Sequence, residues 1–332
     1  MRRREFITLL GGAAAWPLVA RAQQSDRTRR VGVLMSFTEN DSEGQTFVAA
    51  FREELQKLGW TDGRNIRIDT RWATPGDDGL GEKLAKELVA LQPELILSQN
   101  TPTTTALLQQ TRTIPIIFTA VSDPVGSGFV ESSNRPGGNV TGFSNADPTI
   151  ASKWLELLQQ IAPRVTRVAF LFNAATAPYA GLYLAPFKAA AEDNHVRQAG
   201  HCRSGQRLKS GKAVLAAHAR EPNGGLIVMP DAFTTAHREE ITLLAARYRL
   251  PAVYPFRFFA ELGGLLSYGN ERIDPFRRAA TYADRILRGA KPSELPIQAP
   301  VKFQLVINMK AAKALGLDVP WQLQQLADEV IE

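Results

Sequence analysis

A single cysteine, Cys202, stands among 332 residues. That excludes an internal disulfide framework and any structural zinc site built on several thiolates. Histidine is scarce too, at four residues. The first strand-to-helix loop, SFTENDSEGQ, lacks the G-x-G-x-x-G that lets a backbone approach a dinucleotide pyrophosphate. The chain also lacks G-x-x-x-x-G-K-[ST], G-x-S-x-G, H-E-x-x-H and C-x-x-C. Phosphate-loop, α/β-hydrolase, zincin and thioredoxin-type chemistry therefore have no local signature. A triad assembled by folding stays open, since triads are not local in sequence. His218 and His237 lie in helical patterns without a neighbouring nucleophile and read as helix-surface or interface residues.

A basic face is missing as well, although the formal net charge is +6. Arg2, Arg3, Arg4 and Arg21 against Glu5 place three of those charges before residue 23, and Glu192–Lys212 holds the other three. The remaining body is neutral, which argues against nucleic acid as a partner. The one long apolar run, Phe6–Ala20, is shorter than the roughly 20 residues a membrane span needs and contains Gly11, Gly12 and Pro17. With the preceding arginines and the small-x-small end Ala20-Arg21-Ala22, it predicts an export signal at residues 1–22, cleaved near Ala22. RRREF followed by Ile7 resembles a twin-arginine signal. The expected location is the periplasm.

What the chain does have is 44% hydrophobic and 22% charged residues, a globular composition, at a length that favours two lobes. From Val31 onward, short β-branched runs alternate with helical patterns of period 3.6, the signature of parallel sheets covered by helices. VGVLMS, IRIDTRW, ELILSQ and PIIFTAV are predicted strands of a first α/β lobe, with Glu43–Leu58, Leu80–Leu91 and Pro102–Gln110 as helices. RPGGNVTGFSN closes that series, and a second one with the same grammar starts near residue 146. It contains the strands RVAFLFN and GLIVMP and the helices Ala180–Ala191 and Ala232–Tyr248.

One stretch breaks the alternation. EDNHVRQAGHCRSGQRLKSGK, where a strand is due, has only Val196, Ala199, Cys202 and Leu208 as apolar residues and no alternation of period two. His195, His201 and Cys202 could bind a metal, the basic run could bind an anion, or the segment could be a solvated loop. The preferred account is a short coding disturbance, because the pattern is orderly on both sides. It predicts a second lobe with one strand weakened or missing.

Polar clusters follow the strands, where open parallel sheets place their ligands. They are Ser36–Asn40 with Thr38, the run Asn100, Thr101, Pro102 and Thr103, then Ser122 and Asp123, Asn173, Asp231 and Tyr254. Helix starts present free N–H groups to a ligand carboxylate, and Asp123 or Asp231 could meet an ammonium. The same residue types also serve as N-caps and turn formers. Phe37, Phe118, Tyr179, Tyr254 and Tyr268 could stack on an aromatic ligand or fill core.

TPTTTAL, IPIIFTAVSDPVGSGFVESSNRPGGNVTGFSN, REPNGGLIVMPDAFTTAHRE and PVKFQLVINMKAAKALGL together resemble the substrate-binding proteins of ABC transporters in the tryptophan/tyrosine-type group. The resemblance covers nearly all of 31–332. It implies a type I periplasmic-binding-protein fold of two doubly wound, Rossmann-like lobes with a hinge. One lobe would be 30–145 plus about 272–297, the other 146–271 plus about 298–332. It further implies a small solute, an amino acid or related small carboxylate, delivered to an ABC permease at the membrane, with no cofactor, no metal and no catalysis. Thr38, Asn100, Thr101, Ser122, Asp123, Asn173 and Asp231 would face the cleft, and the expected state is a monomer. Two alternatives remain: a sensory module that passes occupancy to a membrane receptor, and a cleft enzyme.

Overall fold

The computed structural model describes residues 28–75, 77–145, 147–203 and 215–332. The expected export signal and residues 204–212 of the irregular stretch lie outside them.

Apolar runs that need cover on both faces become the central strands of two sheets. In the first, β1 (Arg29–Met35), β2 (Ile66–Trp72), β3 (Leu95–Gln99), β4 (Ile116–Val121) and β5 (Val140–Ser144) pair in the order β2-β1-β3-β4-β5, all parallel. Helix α1 (Ser42–Lys57) starts at Asp41, whose Oδ1 accepts from the Glu43 and Gly44 amides at 3.0 and 3.1 Å. Its buried stripe of Phe47, Val48, Phe51 and Leu55 covers one face of the sheet. Helices α2 (Asp78–Ala90) and α3 (Thr101–Gln110) cover the other.

The second sheet repeats the plan. The strands β6 (Arg167–Phe172), β7 (Arg197–Arg203), β8 (Gly224–Val228), β9 (Ala252–Tyr254) and β10 (Leu266–Asn270) run β7-β6-β8-β9-β10, the same order as the first five. β11 (Phe303–Asn308) adds antiparallel to β10, and β12 (Glu329–Ile331) adds parallel to β11. On one face α4 (Ile150–Ile161) and α5 (Ala180–Asp193) bury Trp154, Leu158, Tyr183 and Phe187.

Where a strand was expected to be weakened or missing, one is present, β7. It pairs with β6 alone, at the edge of the sheet, with a register irregularity between Val168 and Phe170. An edge strand needs one hydrogen-bonded neighbour rather than two, so the apolar pattern of a central strand is not required of it. The single helix expected over Ala232–Tyr248 is also two, α6 (Ala232–Ala236) and α7 (Arg238–Arg247), broken at His237. There the ring Nδ1 lies 2.9 Å from the Phe233 carbonyl, and Arg238 turns back to donate to Thr235 O at 3.1 Å.

After β10 the chain returns to the first sheet as α8 (Asp274–Leu287), which packs along α1, with Phe276 stacked on Phe47 at 4.6 Å. Gln298 then pairs beside Phe143 before the chain re-enters the second sheet as β11. The lobes are thus joined by three crossings, after β5, at Glu271–Ile273 and before β11. Two of these are tied by Glu271 N donating to Lys302 O at 3.0 Å.

Candidate functional site

A sheet ordered 2-1-3-4-5 opens a crevice where neighbouring connections leave in opposite directions, beyond the carboxyl ends of its first and third strands. Both lobes have this point, and each closes it with the same kind of bond. In the first lobe Ser36 N, just past β1, donates to Gln99 Oε1 at the end of β3, 3.1 Å away. In the second, Asn173 N, just past β6, donates to Asp231 Oδ2, beyond β8, at 2.9 Å. The two points face each other across the interlobe cleft, whose centre is lined by Ser36, Gln99, Asn100, Asn145, Tyr179, Asp231, Phe256 and Arg272 among others.

Asn100 adopts a left-handed φ of 73° and caps α3 through Oδ1, which accepts from Thr103 N at 3.3 Å. Thr103 turns its hydroxyl back onto Gln99 O. Thr101 is buried, and its hydroxyl has no hydrogen-bond partner among the described residues. Across the cleft, Asp231 Oδ1 accepts from Thr176 Oγ1 at 2.5 Å and from Phe233 N at 3.2 Å. Burial nevertheless pushes the Asp231 carboxyl up to about 6, against the pull of those hydrogen bonds. Tyr179 Oη donates to Pro230 O at 3.0 Å, and burial holds this phenol above its usual range.

The cleft is narrow at its centre and open toward a groove of about 1080 Å³ between Glu43, Phe47, Arg238 and Phe258. The centre offers about 20 Å³, room for about one water. Beside it a cavity of about 380 Å³ lies between Pro75, Pro102 and Pro178, with Thr101 and Thr103 in its wall. The mouth, about 600 Å³, contains Thr38. Two ion pairs hold the start of α1, one to the opposite lobe and one to the crossing segment at Glu271–Ile273. Asp41 Oδ2 meets Arg238 Nη2 at 2.5 Å, and Glu43 Oε2 meets Arg272 Nη1 at 2.8 Å. Burial raises the Glu43 carboxyl above its ordinary value despite both arginines, and burial lowers the Arg272 guanidinium despite Glu43.

The strand-end residues thus divide. Asn100 and Asp231 meet in the centre, Thr101 and Thr103 line the side cavity, and Thr38 stands at the mouth. Asn173 holds Asp231, and Ser122 Oγ donates to Asn145 Oδ1 at 2.9 Å behind the central wall. Asp123 and Tyr254 are placed elsewhere. Asp123 Oδ1 accepts from Gly126 N at 2.7 Å and closes a turn, while Tyr254 stacks on Phe259 at 4.8 Å within the second lobe's core. Gln99, Asn145, Phe256 and Arg272 were not singled out from the sequence. Arg272 carried the same strand-end signal, two residues past β10, in the run GNERID. Among the described residues no group of three or more His, Cys, Asp or Glu side chains could hold a metal. Nor is any described helix long and apolar enough to cross a membrane.

Comparison with known proteins agrees with this architecture. A tyrosine-binding protein of Clostridioides difficile (strain R20291) is 26% identical over 268 residues, 80% of this chain and 75% of that protein. A conserved domain protein from Vibrio cholerae superposes with a TM-score of 0.83 at 26% identity, over 92% of this chain and 100% of that one. An ABC domain in complex with L-Trp, from Streptococcus pneumonia, gives 0.83 at 24% identity over the same shares. The two doubly wound lobes joined by a hinge are the type I periplasmic-binding fold, shared with solute-binding proteins of ABC transporters. The family model for ABC transporter substrate binding proteins matches residues 30–331, and with two sheet switch points closing on one cleft, this chain belongs to that family.

Proposed function

We propose that this protein is the exported solute-binding component of an ABC importer and that its cargo is an aromatic amino acid. In this reading residues 1–22 are a twin-arginine-like signal removed near Ala22, and the mature chain acts as a periplasmic monomer that hands its solute to a membrane permease. The lobes are 30–145 with about 272–297, and 146–271 with about 298–332. Solute binds where both lobes contribute polar groups, so only the closed form makes the full set of contacts, and the solute shifts the population toward closure. The observation that carries the reading is the pair of facing switch points, with Asn100 from one lobe and Asp231 from the other in one central wall. The tyrosine-binding relative supports the choice of solute. The side cavity of about 380 Å³, walled by three prolines, gives a ring flat apolar faces to lie against.

A thermal-shift and calorimetry panel on residues 23–332 tests this. At 100 times its Kd a solute adds about 2.7 kcal/mol, a few degrees of melting temperature for a chain of this size. Tyrosine or tryptophan should raise the transition, and sugars and nucleosides should leave it unmoved. A shift by sugars or nucleosides alone would overturn the choice of cargo.

A further inference from the structure

Arg272 is the one basic side chain in the central wall of the cleft. Its side chain is only 10% exposed. A guanidinium carries five N–H donors. Among the described residues Arg272 uses one of them, from Nη1 to Glu43 Oε2 at 2.8 Å. None of its nitrogens is among the fully enclosed atoms that lack a partner, so the spare donors border open space rather than packed protein. Arg272 borders two such spaces, the central cleft and an open groove of about 1080 Å³ on the side of Glu43, Phe47 and Phe258. A largely buried guanidinium whose remaining donors face open space can accept a further hydrogen-bonding partner there.

The cation is also held in place from both sides. Its guanidinium carbon lies 5.7 and 5.1 Å from the ring centres of Phe37 and Phe47 of the first lobe, and 4.4 and 5.3 Å from those of Phe256 and Phe258 of the second. Aromatic faces attract a cation and leave its in-plane N–H groups free for a planar acceptor. A carboxylate is the group that matches a guanidinium edge with two parallel hydrogen bonds.

We infer that Arg272 is the anchor for the solute's carboxylate, and that Glu43 is an internal carboxylate that occupies part of the guanidinium until the solute arrives. The inference rests on the reading of the protein as an amino-acid-binding component and specifies which end of the amino acid meets which residue. The solute's carboxylate lies against Arg272 in the centre, and its side chain extends into the proline-walled cavity. The centre has room for about one water in this structure, so the solute-bound form must hold the lobes further apart there than they stand here.

The test compares L-tyrosine with L-tyrosinamide, identical except for the carboxylate, by calorimetry on the wild type, Glu43→Gln and Arg272→Gln. Wild type should bind the acid at least about tenfold more tightly than the amide, the loss expected when a hydrogen-bonded charge pair is removed. Glu43→Gln should bind the acid severalfold more tightly and widen the preference. Arg272→Gln should bind both ligands weakly and alike. Should Arg272→Gln not fold, the wild-type preference and the Glu43→Gln gain decide the matter. Equal binding of acid and amide by the wild type, or an acid preference that survives in Arg272→Gln, overturns the role of Arg272 and leaves the amino-acid reading intact. If the wild type binds no aromatic amino acid, the reading itself fails and this inference falls with it.

Discussion

Among the described residues Asp231 has no formal counter-ion, and its hydrogen-bond donors do not offset its burial: the ordinary carboxylate value of 3.8 rises to about 6. The difference corresponds to about 3 kcal/mol. Its sign follows from proton binding, since between those two values the folded chain holds the proton more tightly than the unfolded one. The contribution to stability is complete below pH 3.8 and is lost as pH rises through about 6. Asp231→Asn cannot ionise, so the stability of the variant relative to wild type should improve by up to about 3 kcal/mol between about pH 4 and pH 7. Urea melts across that range measure it, and a difference that stays constant with pH would show that Asp231 titrates as an ordinary carboxylate. Asn100 and Asp231 could be picked out in the sequence because strand ends of open parallel sheets face ligands. Asp123 and Tyr254 met the same criterion and serve a turn and a core instead, since spacing along the chain does not say which way a strand-end side chain leaves. Arg272 was hidden for another reason: its phenylalanine cage comes from three separate places in the chain and exists only after folding.

At the level of elements, the edge position of β7 explains both why it forms and why its sequence lacked a strand signature. A strand bonded on one side lacks a second neighbour to fix its register, and β7 carries a register irregularity against β6. The alternation of strands and helices was legible, whereas the order of strands within a sheet leaves no mark on periodicity. Hydrogen exchange should separate β7 from its neighbours. Its amides are expected to exchange at least about tenfold faster than those of β6 and β8, which are bonded on both sides. Equal protection across the three would mean that β7 is integrated as firmly as a central strand. The helix break at His237 is a second element-scale feature with an effect at a distance, because it starts α7 at Arg238 and so brings that guanidinium to Asp41.

For the whole molecule, Asp41 does two things with two oxygens: Oδ1 caps α1, and Oδ2 holds Arg238 across the cleft. Asp41→Asn retains a cap and removes the charge pair, while Asp41→Ala removes both and should cost about 1 kcal/mol more in stability. Both variants should shift the lobes toward the open form severalfold, in line with the roughly 1 kcal/mol that such a pair contributes. Small-angle scattering reads this as a larger radius of gyration that saturating solute reverses. An unchanged radius in both variants would show that the pair does not hold the lobes together. Arg272, by contrast, lies in the crossing segment Glu271–Ile273, against rings of both lobes. Segments that join two lobes are displaced less on opening than the lobes' far ends, so the guanidinium should stay accessible when the lobes part. Docking at Arg272 then needs no prior closure, and the order of events is capture followed by shutting. Stopped-flow traces should accordingly resolve a concentration-dependent capture phase and a later phase whose rate levels off at high solute concentration, set by the swing of the lobes alone.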